Sequence, residues 1–95
     1  MELEFSNRMI EWRGPAPFYY VPVPPVQSQL IRETARQVSY GWGVIPVRAT
    51  IGRTEFTTSL FPRDGVYLVP VKNAVRLPEK LGLGDSVTVR LEIDF

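Results

Sequence analysis

From Val87 to Phe95 apolar and polar residues alternate without interruption: Val87, Val89, Leu91, Ile93 and Phe95 fall in one phase, Thr88, Arg90, Glu92 and Asp94 in the other. A period of two puts successive side chains on opposite faces of a strand, so this run predicts a strand with one face in a core. The same period marks Val44 to Ile51 and Thr54 to Phe61, on either side of Gly52-Arg53. Glycine at the first central position of a two-residue turn supplies the positive φ needed there. With that tip, Ile51 pairs with Thr54, Ala49 with Phe56, Val47 with Thr58 and Ile45 with Leu60, and Arg48, Thr50, Glu55, Thr57 and Ser59 share the opposite face. Asp64-Gly65 predicts a second tight turn, with positive φ at both central residues, joining Leu60-Phe61-Pro62 to Val66-Tyr67-Leu68-Val69. It sets Leu60 against Val69 on the core face and Phe61 against Leu68 on the other. Both faces are apolar there, so a helix or a partner subunit has to cover the second.

At the N-terminus Leu3 and Phe5 alternate with Glu2 and Glu4, whereas Ile10 and Trp12 lie in the opposite phase. This predicts a bulge near Ser6-Asn7-Arg8. Gly14-Pro15 ends the strand, Phe18 to Val21 forms the next, and Pro22-Val23-Pro24-Pro25 stops further pairing. The period then lengthens: Val26, Leu30, Ile31, Thr34, Ala35 and Val38 align on one face of a helix of about three turns. Pro25 suits its first turn and the Gly41 region its end, and the helix is expected to lie as a lid on the sheet. Lys72 to Arg76 predicts one helical turn, Pro78 to Leu81 a short turn ending at Gly82, and Gly84-Asp85 the entry to the final strand. The expectation is a mainly β chain, a small closed barrel of about six strands with one amphipathic helix and a second helical turn, a single domain over 1–95.

Composition narrows the chemistry. The 95 residues are 44% hydrophobic and 22% charged, with nine prolines, an ordinary make-up for one modest core. Eleven Lys and Arg against ten Asp and Glu leave a net charge of +1, without the basic excess of a dedicated nucleic-acid binder. There is no cysteine and no histidine, which excludes disulfides, thiolate catalysis, the common zinc sites and His-based triads. The N-terminus MELEFSNRMIEW carries no signal-peptide pattern, so a cytoplasmic, non-membrane protein is expected.

The segments GWGVIPVRATIG, TSLFPRDGVYLVPVKNAVR and LGLGDSVTVRLEID resemble a bacterial family of domains of unknown function that occurs alone or ahead of a helical YdeI- or OmpD-associated (bacteriocin-protection) domain. The similarity runs from Leu3 to Asp94. The resemblance implies a double-split β-barrel of the class shared with AbrB- and MazE-like regulators and antitoxins, where a proline-bearing strand and a Leu-Gly-x-x-Gly-Asp type loop lead into the last strand, as Pro70, Leu81, Gly82, Gly84 and Asp85 do here. The chain departs from those regulators in length and in its Val26 to Val38 helix. Ending at Phe95, it is expected to lack the helical companion domain. The resemblance carries no activity with it.

Gly52, Asp64, Gly65, Gly84 and Asp85 read as structural turn residues, so Asp85 is not assigned a catalytic role. Gly41-Trp42-Gly43 lacks the third glycine of a phosphate-binding loop. The sharper constellation is Arg48, Arg53, Thr57 and Ser59, joined by Lys72 and Arg76: hydroxyls among cations bind phosphate or carboxylate through charge-assisted bonds. The competing reading is a solvated sheet face. Tyr40, Trp42 and Tyr67 are aromatic candidates for stacking or lining a pocket, against a core role. The function expected is a non-catalytic module, without cofactor, for a small anionic ligand or a protein partner; the alternative is a dimeric AbrB/MazE-like DNA-binding regulator or antitoxin. The chain is expected to be a monomer or homodimer.

Overall fold

Both hairpins form in the register that their turn residues dictate. In the computed structural model, which describes residues 1–12, 18–37 and 44–95, the elements are β1 (Glu2–Arg8), β2 (Ile10–Trp12), β3 (Phe18–Pro22), α1 (Pro25–Gln37), β4 (Ile45–Ile51), β5 (Thr54–Arg63), β6 (Val66–Pro70), α2 (Asn73–Arg76) and β7 (Ser86–Glu92). Ile51 faces Thr54 and Ile45 faces Leu60 across the first tip, where Gly52 has φ 58°. Phe61 faces Leu68 across the second, with φ 51° at Asp64 and 83° at Gly65. The positive φ favours glycine at this tip, and a Cβ there would also make the Glu79 carboxylate shift.

The strands form one seven-stranded sheet in the order β1-β7-β4-β5-β6-β3-β2, antiparallel throughout. The sheet curls into a half-barrel and is not closed, which corrects the expected closed barrel of about six strands. The extra strand arises because the N-terminal run changes partner at Met9: residues 2–8 pair with β7, and 10–12 pair with β3. β1 and β2 therefore lie at opposite edges of the sheet. Among the described residues no ladder joins those edges; the Asn7 side-chain amide of β1 donates instead to the Pro22 carbonyl of β3 at 3.0 Å.

The expected bulge at Ser6-Asn7-Arg8 is also corrected. β1 pairs residue for residue from Glu2–Glu92 to Arg8–Ser86. Phe5 and Met9 are buried, and Ile10 and Trp12, in the other phase, simply point outward. The inner face gathers one hydrophobic cluster that includes Phe5, Met9, Val21, Ile45, Leu60, Val69, Val89 and Leu91, with Ile31 and Ala35 of α1 packed into it. The final strand follows its expected alternation, with Val87, Val89, Leu91 and Ile93 all buried.

The helix covers the core with Ile31 and Ala35 of the expected face, but it is rotated away from the rest of that face. Val26 is 79% and Leu30 45% exposed, whereas Ser28, Ile31 and Ala35 are buried. The rotation is set by Ser28. Val23 N–H donates to the Tyr67 carbonyl at 2.8 Å, yet the reciprocal bond of that ladder step is relayed: Tyr67 N–H donates to the Ser28 hydroxyl at 3.0 Å, and the hydroxyl donates to the Val23 carbonyl at 2.9 Å. A serine inserted between two strands docks the helix by hydrogen bonding as well as by burial. The helix end expected near Gly41 and the strand end at Gly14-Pro15 lie outside the described residues. Among the described residues no helix is long and apolar enough to cross a membrane.

Ser28→Ala should therefore lower the unfolding free energy in urea by roughly 1–3 kcal/mol, because Tyr67 N–H and Val23 C=O lose their buried partner. A loss below about 0.5 kcal/mol would mean that the two strands close up and bond directly.

Candidate functional site

The outward faces of the two halves of the sheet differ in chemistry. Over β1, β7 and β4 the outward side chains pair across strands: Glu4 with Arg90 at 3.6 Å, Ser6 with Thr88 at 2.7 Å, and Arg48 with Glu92 at 2.8 Å. Polar groups there satisfy one another. Over β2, β3 and β6 the outward residues are Ile10, Trp12, Tyr20, Pro22, Val66 and Leu68, and they line a groove of about 420 Å³.

The floor of this groove is packed and its walls are exposed. Tyr20 and Leu68 are buried although neither belongs to the inner core cluster, and the Tyr20 ring meets Phe61 edge-on at 5.0 Å between centroids. Ile10 is 40%, Trp12 41% and Phe18 59% exposed. The Phe61–Leu68 face is thus not covered by α1, which lies on the inner side. At the rim the Arg63 guanidinium lies 3.2 Å from the centroid of the Trp12 ring, and its Nε is 3.5 Å from an Asp64 carboxylate oxygen. The arrangement offers apolar contact, an aromatic face and charges of both signs.

The six anion-binding candidates are distributed over several places. Arg48 and Thr57 are cross-strand neighbours in a shallow cleft of about 240 Å³, which also holds Glu92 and Asp94. The arginine there is already ion-paired. Ser59 sits opposite Pro46, two pairs further along. Arg53 is at the hairpin tip, its backbone N–H 3.4 Å from the Glu79 carboxylate that also accepts from the Thr54 hydroxyl at 2.7 Å. Lys72 precedes α2 and is exposed. Arg76 is held over the Tyr19 ring at 4.4 Å and donates to Asn73 Oδ1 at 3.2 Å and the Leu81 carbonyl at 3.3 Å.

Among the aromatic candidates Tyr67 is buried in the core cluster, while Tyr40 and Trp42 lie outside the described residues. Asp85 accepts from Gly82 N–H at 2.7 Å and is followed back through Gly84, with φ 84°, in a tight turn. Sequence reasoning missed Ile10 and Trp12 as site residues. Their signal was the opposite phase, which marks an apolar exterior as readily as a shifted register.

Residues 5–91 match the family described as a domain of unknown function (DUF1905). No curated protein matches the chain.

Arg48→Ala should change stability by less than about 1 kcal/mol, since both partners of its ion pair are roughly half exposed and solvent screens such pairs. Chemical denaturation measures this; a loss above about 2 kcal/mol would show that the cleft is a structural anchor.

Proposed function

The chain belongs to the DUF1905 family, and for it we propose a non-catalytic binding module that recognises a protein partner through the groove of β2, β3 and β6. The observation that carries this reading is the contrast between the two outward faces: one is zipped by its own ion pairs and hydroxyls, the other presents Ile10, Trp12 and Phe18 to solvent above a packed aromatic floor. Exposed contiguous apolar surface is unfavourable in isolation and is typical of a surface that meets another molecule. Aromatic anchors of this kind dominate the energetics of protein recognition.

A small anionic ligand at Arg48 is less well supported, because Glu92 already neutralises that guanidinium and Asp94 shares the cleft. A DNA-binding role of the AbrB or MazE type rests on resemblance of fold, and a net charge of +1 gives it little electrostatic drive. The lack of histidine and cysteine supports a role without catalysis. A bacterial, cytoplasmic setting goes with this reading, supported by the family resemblance and by a chain free of cysteine.

Panning a random peptide library on the immobilised domain and measuring the selected peptides by fluorescence polarisation tests the assignment. Trp12→Ala should weaken them by about ten-fold or more, as loss of a central aromatic anchor does, while Arg48→Ala leaves them unchanged. Peptides that depend on Arg48 and ignore Trp12 would move the site to the other face.

A further inference from the structure

We infer that the partner segment is cationic: an arginine or lysine on an apolar stretch of chain that takes the place of Arg63 over the Trp12 ring. This rests on the groove being the recognition surface and specifies what it takes.

Three observations converge on it. Among the described residues the groove is lined by two carboxylate residues, Glu11 and Asp64, and by the cation Arg63. That cation is engaged twice, with the Asp64 carboxylate at 3.5 Å and the Trp12 face at 3.2 Å, so among the described residues of the groove no positive charge is left without a partner for an acidic ligand. Glu11, by contrast, makes no ion pair among the described residues. The potential of the groove is complementary to a basic segment.

Arg63 also shows which ligand the tryptophan face accepts. The face of an indole ring carries the negative lobe of its quadrupole and attracts a guanidinium or ammonium. Arg63 fills that position from within the chain, as an internal stand-in for the ligand. It is held loosely enough to yield: it is the last residue of β5, its side chain is 42% exposed, and its partner Asp64 is 89% exposed. Solvent screens an ion pair of that kind to a small net value. The apolar residues flanking an incoming cation meet Ile10 and Leu68, which line the same groove.

Displacement has a signature that simple attraction lacks. Removing Arg63 vacates the ring and removes a like charge, so binding of a cationic segment should tighten. If Arg63 itself held an acidic partner, the same change would abolish binding.

Two labelled pentapeptide pools test this, each mixed over aliphatic and aromatic residues at the outer positions, one with arginine fixed at the centre and one with glutamate. By fluorescence polarisation at low salt, the arginine pool should bind the intact domain about five-fold tighter than the glutamate pool, the scale of a partly exposed cation–π contact. Arg63→Ala should tighten the arginine pool by about three-fold, and Trp12→Ala should remove its advantage over the glutamate pool. Equal binding of the two pools, lost on Trp12→Ala, overturns the cationic partner and leaves the groove assignment standing. Tighter binding of the glutamate pool, lost on Arg63→Ala, overturns it in favour of an acidic partner. Binding of neither pool that responds to Trp12→Ala overturns both readings.

Discussion

The constraint on which the structure turns is that one extended run of chain, Glu2 to Trp12, serves two ladders. Up to Arg8 its partner is β7, and from Ile10 onward its partner is β3. Met9 is the pivot. It is buried, its N–H donates to the Asp85 carbonyl at 2.9 Å, and its carbonyl accepts from Gly84 N–H at 2.9 Å. The tight Gly84-Asp85 turn therefore does more than open the last strand: it takes over the Met9 backbone where strand pairing lapses. Alternation continues through the pivot, so the exterior changes from Glu4, Ser6 and Arg8 to Ile10 and Trp12 while Phe5 and Met9 stay buried on the other face. A charged outer face and an apolar outer face follow from the same strand.

A second transfer of bonding occurs where β3 gives way to the helix. Pro24 and Pro25 supply no N–H, so the ladder between β3 and β6 cannot extend past Val23, and its last step is relayed through the Ser28 hydroxyl. This holds α1 over the inner face of the half-barrel with Ile31 and Ala35 inward. With the helix committed to the inner side, nothing among the described elements covers the Phe61–Leu68 side. The groove is what remains when a sheet with two apolar faces receives only one lid.

The parts of the fold governed by short-range rules were legible in the sequence. Gly52-Arg53 and Asp64-Gly65 set both hairpin registers because a two-residue turn leaves no freedom of alignment, and the Val87 to Ile93 alternation marked its buried face residue by residue. What escaped depended on contacts between distant residues. Ser28 looks like a surface helix residue until Tyr67, 39 positions away, presents its N–H. Val26 and Leu30 look like core residues for the same reason. Of the candidate cations, Arg48 loses its availability to Glu92 through the β4–β7 pairing, and Arg76 to Tyr19 and Asn73. Ile10 and Trp12 were visible as residues out of phase, but phase alone does not distinguish a shifted strand from an apolar exterior.

Ile10 and Trp12 face outward on a run of chain whose neighbouring Met9 is buried in the core. The chain contains no cysteine, so single cysteines placed at positions 9, 10 and 12 report their own accessibility to a maleimide under native conditions. Ile10→Cys and Trp12→Cys should label rapidly, and Met9→Cys should stay protected until the domain unfolds. Protection of all three would put the apolar pair inside the core, and the groove would not exist.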